Sequence, residues 1–383
     1  SGGEAEKPRK PESQNKKEEV SVKKRILSAF VLLCMLLTLL PVSALATDGD
    51  STDTMTDLTE QSEVSETSEQ VTSEEMLLTA ISNAGTDDVI TLGGPITLTK
   101  SLVIDGKSIT LNLNGQTLTA SANTISVANG GALTIEDESE SGNGKITAEN
   151  QIDVDASSLV LNSGTIEITG TGEKSYGIYV LDGGSATVNG GEIKSNYAAL
   201  AGNNTTGDMN FEVNGGTLTT TYGPAIYMPG QVTLKITAGT LNGGISLRMG
   251  QVSISGGTIN ATTANIDSPA EYYNYNGNAW LPDALYVFNG TYTSENATYG
   301  NSLNLSITGG TFNCTNEQGS AIAIYDLGKV AQNSQVTISG TAVLSTSASD
   351  RSAYQVLSLS DIGVSSPDSD YGNANYVGKI STA

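Results

Sequence analysis

A glycine-containing corner between two short runs of alternating apolar residues recurs along most of this 383-residue chain and constrains its fold. A typical copy is Gln251–Asn260, which reads QVSISGGTIN. Corners of this kind lie at Ser163-Gly164-Thr165, Gly190-Gly191-Glu192, Gly215-Gly216-Thr217, Ala238-Gly239-Thr240, Gly256-Gly257-Thr258, Gly309-Gly310-Thr311 and Ser339-Gly340-Thr341. Alternation with a period of two predicts β-strands, and glycine permits backbone angles that a Cβ atom would forbid. The sequence therefore predicts repeated strand–corner–strand units.

A second apolar element lies between successive corners. Its copies are Tyr176–Val180, Tyr197–Leu200, Gly223–Met228, Asp283–Val287 and Ser320–Tyr325. Where no insertion intervenes, the corners are roughly 18 to 30 residues apart, near the lower edge of the range for solenoid repeats. Stacked coils bury apolar faces that a single coil leaves open. A β-sandwich is the alternative, but it does not need the same corner at a fixed place in each unit. We therefore predict an all-β, right-handed parallel β-helix over residues 72–359.

One segment carries a resemblance to a known family. Asp87–Thr119 contains the element Leu111–Gly115 followed by Thr117-Leu118, and the later Asn-Gly-Gly-Thr-Leu corner repeats the pattern. It resembles the opening coils of pectate-lyase-like right-handed parallel β-helices in surface proteins of Gram-positive gut bacteria. The resemblance extends over about residues 74–360. It implies a fold, and it leaves both a binding protein and a polysaccharide-degrading enzyme open.

The N-terminal part of the chain predicts export. Residues 1–21 are polar and charged, and we interpret them as a disordered or non-native extension. Residues 22–46 have the three parts of a signal peptide, namely Lys23-Lys24-Arg25, the apolar run Ile26–Leu40 and the small-residue site Ala44–Ala46. The apolar run of 15 residues is short for a membrane span. We expect cleavage after Ala46, no membrane insertion afterwards, and an extracellular or cell-wall location.

Three further segments flank or interrupt the predicted solenoid. Residues 47–71 form an acidic linker rich in Ser and Thr, which contains too few apolar residues to order itself. A capping helix is predicted for Thr72–Ala84, with Thr72 and Glu75 as a capping box and an apolar face of Met76, Leu77, Ala80 and Ile81. An insertion is predicted at residues 267–282, and an irregular segment at residues 360–383.

Charge and residue types exclude several classes of partner. From Thr47 onwards the chain has 10 basic and 36 acidic residues, a net charge of −26. Such a surface repels nucleic acids and anionic membranes. The chain contains no His, which is the commonest general base and metal ligand. Once Cys34 is removed with the signal peptide, Cys314 has no disulfide partner, and we interpret it as a strand residue.

The insertion is the candidate ligand-binding site. It contains Tyr272, Tyr273, Tyr275 and Trp280 among Asn and acidic residues. Aromatic rings stack on sugar rings, amide and hydroxyl groups bind sugar hydroxyls, and insertions in repeat proteins often lie on the binding face. The alternative is that these rings pack against the side of the solenoid.

Tyrosines also recur at one place in the second element. Tyr179, Tyr227, Tyr286 and Tyr325 each follow or lie among aliphatic residues there. We expect a stacked tyrosine ladder along one edge of the solenoid. An extended glycan-binding strip is the second interpretation.

The sequence provides little support for an enzyme. The resemblance suggests a polysaccharide lyase or glycoside hydrolase, but the hydrolase needs paired carboxylates and the lyase a carboxylate cluster with a basic residue. Arg248 could point outwards from a strand, yet no Asp occupies the same place in adjacent units, and Asp87-Asp88 belongs to the N-terminal region. We expect no catalytic residues, metal or cofactor. The predicted function is a monomeric, adhesin-like or carbohydrate-binding module for host or plant glycans or a surface protein. A ligand-free spacer is the further alternative.

Overall fold

The computed structural model describes residues 70–171, 175–202, 209–261, 281–289, 293–294, 297–298, 303–326, 335–358 and 379–382. In these ranges a single helix, α1 (Glu74–Asn83), precedes strands β1 to β33. No helix among them is long and apolar enough to cross a membrane.

Nearly all strands belong to three parallel sheets, to which each coil contributes one strand apiece. Sheet I contains β1 (Asp88–Thr91), β4 (Ser108–Asn112), β7 (Ala132–Glu136), β10 (Ser158–Leu161), β13 (Ser185–Val188), β16 (Met209–Val213), β19 (Val232–Ile236), β22 (Gly250–Ile254), β27 (Leu303–Ile307), β30 (Gln335–Ile338) and β33 (Lys379–Thr382). Sheet II contains β2 (Ile96–Thr97), β5 (Thr117–Ala120), β8 (Lys145–Ala148), β11 (Thr165–Ile168), β14 (Glu192–Ser195), β17 (Thr217–Thr220), β20 (Thr240–Gly243), β23 (Thr258–Ala261), β28 (Thr311–Cys314) and β31 (Val343–Thr346). Sheet III contains β3 (Leu102–Asp105), β6 (Ile125–Ala128), β9 (Ile152–Asp155), β12 (Ile178–Leu181), β15 (Leu200–Gly202), β18 (Ile226–Met228), β21 (Ile245–Leu247), β24 (Leu285–Asn289), β29 (Ile322–Asp326) and β32 (Tyr354–Ser358).

This arrangement confirms the predicted parallel β-helix. Each strand pairs in register with the strand of the same sheet in the next coil, as Leu159 pairs with both Leu133 and Ala186. Besides these sheets, β25 (Thr293–Ser294) and β26 (Ala297–Thr298) form an antiparallel pair.

The core is a set of apolar rows inside the coils. One inward row of sheet I consists of Ile109, Leu133, Leu159, Ala186, Phe211, Leu234, Val252, Leu305 and Val336. All of these side chains are buried. Ala186 is the smallest member of the row and pairs with Phe211, one of the largest fully buried side chains. Residues that alternate between apolar and polar along the sequence therefore alternate between the core and the surface of the solenoid.

The two glycines of a corner have different roles. A Cβ atom on Gly256 would lie 2.1 Å from the carbonyl oxygen of Thr237 in the preceding coil, a separation that real Cβ atoms essentially never show. Gly257 has a φ of 90°, in the left-handed region that side chains disfavour. At this corner, close stacking of the coils therefore requires a first position without a side chain and a second position that tolerates positive φ.

Replacing either corner glycine by alanine is expected to destabilise the solenoid. For Gly256→Ala the reason is overlap with a backbone carbonyl, and for Gly257→Ala it is backbone strain, each costing about 1–3 kcal/mol. Urea unfolding followed by far-UV circular dichroism measures the change. Gly94→Ala is the control, because its Cβ atom would have nearest neighbours at 4.0 Å. Equal stability of all three variants would contradict this account of the corner.

Amide side chains form a ladder beside the same corners. Asn189 donates from Nδ2 to Oδ1 of Asn162 at 3.0 Å, and Asn214 donates to Asn189 at 3.1 Å. A second ladder on the outer face of sheet II joins Asn242, Asn260 and Asn313. The recurrence of Asn in the sequence is thus explained by hydrogen bonds between coils.

The capping helix is present, but its N-cap differs from the prediction. Ser73, not Thr72, caps α1, because its hydroxyl oxygen accepts a hydrogen bond from the Met76 N–H at 3.2 Å. The capping-box prediction is therefore wrong by one residue. The Thr72 hydroxyl is instead directed at the Met76 sulfur, to which it donates at 3.6 Å.

The helix covers the first coil. Leu77 and Ile81 are its buried residues. The Glu74 carboxylate accepts hydrogen bonds from the backbone N–H groups of Thr99 at 2.7 Å and Lys100 at 2.9 Å. A hydrogen bond from the Thr99 hydroxyl to the same carboxylate has the largest effect on the pKa of Glu74. That bond and the two backbone bonds lower this pKa. The helix is thereby fixed to the corner that precedes sheet III.

Candidate functional site

The predicted insertion site lies outside the described residues. This applies to Tyr272, Tyr273, Tyr275 and Trp280. The end of the insertion is described: Leu281 is buried and leads into β24 of sheet III. The insertion therefore leads into sheet III, and we take the outer face of this sheet as the candidate site.

An outward row of sheet III alternates between large and small side chains. Its successive members are Asp153, Tyr179, Ala201, Tyr227, Ser246, Tyr286 and Ala323. Three of the four tyrosines predicted to share one place in the unit do share this row. The prediction is wrong for Tyr325, which pairs with Phe288 two residues further along β29, because two more residues precede the tyrosine in that strand.

Tyr176, which is not a member of this row, occupies the space between two of its members. Tyr179 and Tyr227 are two strands apart, a distance of about 9–10 Å. The ring of Tyr176 lies 5.2 Å from that of Tyr179 and 6.4 Å from that of Tyr227, with interplanar angles of 13° and 8°. Tyr197 meets Tyr176 edge-on at 6.5 Å. We call Tyr176, Tyr179, Tyr197 and Tyr227 the tyrosine stack. It contains two members of the predicted ladder, Tyr179 and Tyr227.

The stack is partly accessible. Tyr227 is 7% exposed and packs with Ala198 and Ala201, whereas Tyr176, Tyr179 and Tyr197 are half-buried. Burial, with smaller contributions from Tyr176 and Asp153, raises the pKa of Tyr179 to about 12. Its hydroxyl is therefore protonated at neutral pH and can both donate and accept hydrogen bonds.

Acidic side chains border the stack on its N-terminal side. Asp153 pairs in register with Tyr179, and the Gln151 side chain donates a hydrogen bond of 2.7 Å to Oδ1 of Asp153. Asp155, which ends β9, is exposed, as is Asp182, which follows β12. Aromatic rings and an oriented carboxylate thus lie on one face of a rigid sheet, an arrangement suited to ligand recognition.

A buried polar cluster lies beyond the C-terminal side of the stack. Asp283 is 0% exposed and accepts hydrogen bonds from the Tyr325 hydroxyl at 2.6 Å and the Ser320 N–H at 2.7 Å. Burial raises the pKa of this carboxyl to about 6, against the opposing effects of those hydrogen bonds and of the Arg351 charge. Its burial makes it a structural link between coils, and no sequence pattern predicts this role.

Cys314 lies next to this cluster, in β28. It is buried, and its Sγ donates a hydrogen bond of 3.1 Å to the Pro282 carbonyl oxygen. Burial and the nearby Asp283 raise the pKa of the thiol to about 11. Its interpretation as a strand residue is confirmed.

Arg248 lies between β21 and β22 and is buried. The sequence is compatible with an outward direction for this side chain, and its surroundings leave only 4% of it exposed. Its charge acts on the neighbouring Tyr227, where it partly opposes the larger rise in pKa caused by burial. Among the described residues, no group of three or more Asp, Glu, Cys or His side chains is arranged to hold a metal ion.

The structure supports the predicted parallel β-helix and no finer assignment to a family. Three parallel sheets of stacked strands are the architecture that the resemblance to pectate-lyase-like proteins implies, and folds of this kind host many activities. Function must therefore be argued from the tyrosine stack and its surroundings. No protein-family model, curated protein or solved structure matches the chain.

Proposed function

We propose that this chain is an exported cell-surface β-helix that binds glycans without cleaving them, as an adhesin-like or carbohydrate-binding module. The observation that carries the proposal is the tyrosine stack, with rings 5.2 Å and 6.4 Å apart on the outer face of sheet III and a carboxylate in register beside it. Export rests on the signal-peptide pattern of residues 22–46.

The chemistry of the stack suits sugars. The face of an aromatic ring is electron-rich and attracts the polarised C–H groups on the apolar face of a pyranose. Tyrosine hydroxyls and the Asp153 carboxylate supply partners for sugar hydroxyls. Tyrosine also loses little conformational entropy on binding, because few of its bonds rotate. The parallel sheet beneath holds these groups in fixed positions.

The insertion belongs to the same proposal. Its last residues enter β24, so Tyr272, Tyr273, Tyr275 and Trp280 are attached to the sheet that carries the stack. We propose that they extend the binding surface formed by the described tyrosines.

A ligand-free spacer is the second candidate function. The observation in its favour is that the rings of the stack pack mainly on one another, with Tyr227 only 7% exposed. A polysaccharide lyase or glycoside hydrolase is supported only by the resemblance of the fold.

Binding is expected to retard the mature chain, Thr47–Ala383, in native gels that contain mucin or plant polysaccharides and calcium. Tyr176→Ala with Tyr179→Ala should weaken retardation about tenfold or more, since each stacked contact contributes about 0.5–1.5 kcal/mol. Tyr222→Ala is the matched control, because this tyrosine is 53% exposed in the corner after β17. Trp280→Ala with Tyr273→Ala tests the insertion.

The other candidate functions give different results in the same gels. A cleared zone around the protein band would show that the polysaccharide is degraded and that the chain is an enzyme. Unchanged migration in every gel would contradict glycan binding and favour the spacer. Circular dichroism of each variant checks that the solenoid remains folded.

A further inference from the structure

We infer that the outer face of sheet II binds an uncharged polysaccharide in an extended conformation, with one sugar lying over each of four successive coils. This surface is separate from the tyrosine stack on sheet III. The inference therefore goes beyond the proposed function and does not depend on the stack binding a glycan. It adds a second binding surface and names the class of glycan that fits it.

Two rows of polar side chains run across four strands of sheet II. The first row consists of Thr217, Thr240, Thr258 and Thr311, which pair in register. The second row, two residues further along each strand, consists of Thr219, Asn242, Asn260 and Asn313. All eight side chains are half-buried, whereas the residues between the rows are buried in the core. The rows therefore flank a shallow channel whose floor is the backbone of the strands.

Both rows offer hydrogen-bonding groups to a ligand. Among the described residues, none of the four hydroxyls of the first row makes a hydrogen bond. In the second row, Nδ2 of Asn260 donates to Oδ1 of Asn242 at 2.8 Å, and Nδ2 of Asn313 donates to Oδ1 of Asn260 at 3.1 Å. An amide has two N–H donors and an oxygen with two lone pairs, so each Asn of this ladder keeps one donor and one acceptor. The ladder also fixes the orientation of each amide before a ligand arrives.

The spacing of these groups fits an extended sugar chain. Neighbouring strands are about 4.7–4.9 Å apart, and residues two apart along a strand are separated by about 6.6 Å. The first distance is close to the length by which one sugar advances an extended chain with equatorial linkages. The second distance leaves room for the width of a sugar ring. A chain that runs along the solenoid axis would therefore place each ring between one side chain of the first row and one of the second.

Charge determines which chains suit the channel. Strands β17, β20, β23 and β28 contain no charged residue, although the whole chain has a net charge of −23. In the preceding strand, β14, the same two rows contain Glu192 and Lys194, which form an ion pair of 2.8 Å. A uronate or a charged amino sugar would find no opposite charge on the four uncharged strands, whereas sugar hydroxyls find partners on every one of them. The surface therefore favours a polysaccharide without charged groups.

A second copy of this chain is a poorer fit to the same surface. The two rows span about 250 Å², whereas stable protein interfaces bury roughly 800 Å² on each partner. A single sugar chain is narrow enough to make all its contacts within that area. The size of the uncharged surface therefore favours a polymer chain over a folded partner.

The test is calorimetric titration of the mature chain with β-1,4-linked oligosaccharides of glucose, xylose and mannose. At least one series should bind, with an affinity that rises up to about four sugars, one for each coil, and then levels off. Thr217→Val with Thr240→Val should weaken this binding about tenfold, because it removes two hydroxyls and keeps the shape of the side chains. Thr134→Val with Thr187→Val is the matched control and should leave binding unchanged, because these half-buried threonines lie on the outer face of sheet I. Circular dichroism checks that each variant is folded.

Further outcomes separate this surface from the tyrosine stack. Binding that survives Tyr176→Ala with Tyr179→Ala would support sheet II as the site. Binding that is lost in those variants but retained in Thr217→Val with Thr240→Val would overturn the inference and leave the proposed function intact. An affinity that stays constant beyond two sugars would overturn the alignment of one sugar with each coil. Absence of binding in all three series would overturn the inference as a whole, while retardation in the mucin and plant-polysaccharide gels would still support the proposed function.

Discussion

Replacing Phe211 by alanine is expected to lower the free energy of unfolding by about 3–5 kcal/mol. Phe211 is 1% exposed and belongs to the inward row of sheet I, between Ala186 and Leu234. Its neighbour Ala186 is too small to fill the space, so truncation would leave a cavity in addition to the lost burial. Urea unfolding followed by circular dichroism measures the change.

Two further variants test whether lost packing is the cause of the destabilisation expected for Phe211→Ala. Phe211→Leu keeps most of the volume and should cost clearly less, about 1–2 kcal/mol. Val89→Ala removes an apolar side chain that is 54% exposed on the outer face of β1, and should change stability by less than about 0.5 kcal/mol. Because coils contact only their neighbours, hydrogen exchange should accelerate most in β13, β16 and β19. Uniform acceleration along the chain, or equal effects of all three substitutions, would contradict this packing.

Stability is expected to fall as pH rises between about pH 4 and pH 6, relative to an Asp283→Asn variant. Burial raises the pKa of Asp283 from 3.8 to about 6, so the folded chain holds this proton more tightly than the unfolded chain. The resulting stabilisation is fully present below about pH 4 and is lost as pH rises through 6. At about 1.4 kcal/mol for each pKa unit, the total change is about 3 kcal/mol.

The Asn variant isolates this one group. Asn cannot ionise, but its side-chain oxygen can still accept the hydrogen bond that Ser320 N–H donates to Asp283. Other carboxylates titrate in both proteins, so the difference between the two pH profiles reports Asp283 alone. Urea midpoints across this range supply the profiles. Parallel profiles would show that Asp283 is ionised in the folded chain at acidic pH, and would contradict its burial beside Tyr325.

Local pattern was sufficient to predict the architecture. The alternation in Gln251–Asn260 became β22, a corner and β23, with Val252 and Ile254 buried. The predicted helix was found at Glu74–Asn83, because its apolar spacing already places Leu77 and Ile81 on one face. Side-chain direction in strands and helices repeats with a fixed period, so such signals can be read within a few residues.

Contacts between coils could not be predicted in the same way. Tyr176 was noted only as the first residue of a strand, and its position between Tyr179 and Tyr227 depends on the small Ala201 of the intervening coil. Asp283 was grouped with the strand that follows it, but its partners Ser320 and Tyr325 are about 40 residues away.

The sequence by itself determined that the chain forms stacked coils of short strands, preceded by a helix. Glycine corners and two-residue alternation are local properties that allow few other structures. Only the tertiary structure decided which side chains meet on the outer face of sheet III. That outcome depends on the register between coils, and corners 18 to 53 residues apart in the sequence all place their strands in direct contact. The tyrosine stack, the carboxylate beside it and the buried Asp283 are products of that register.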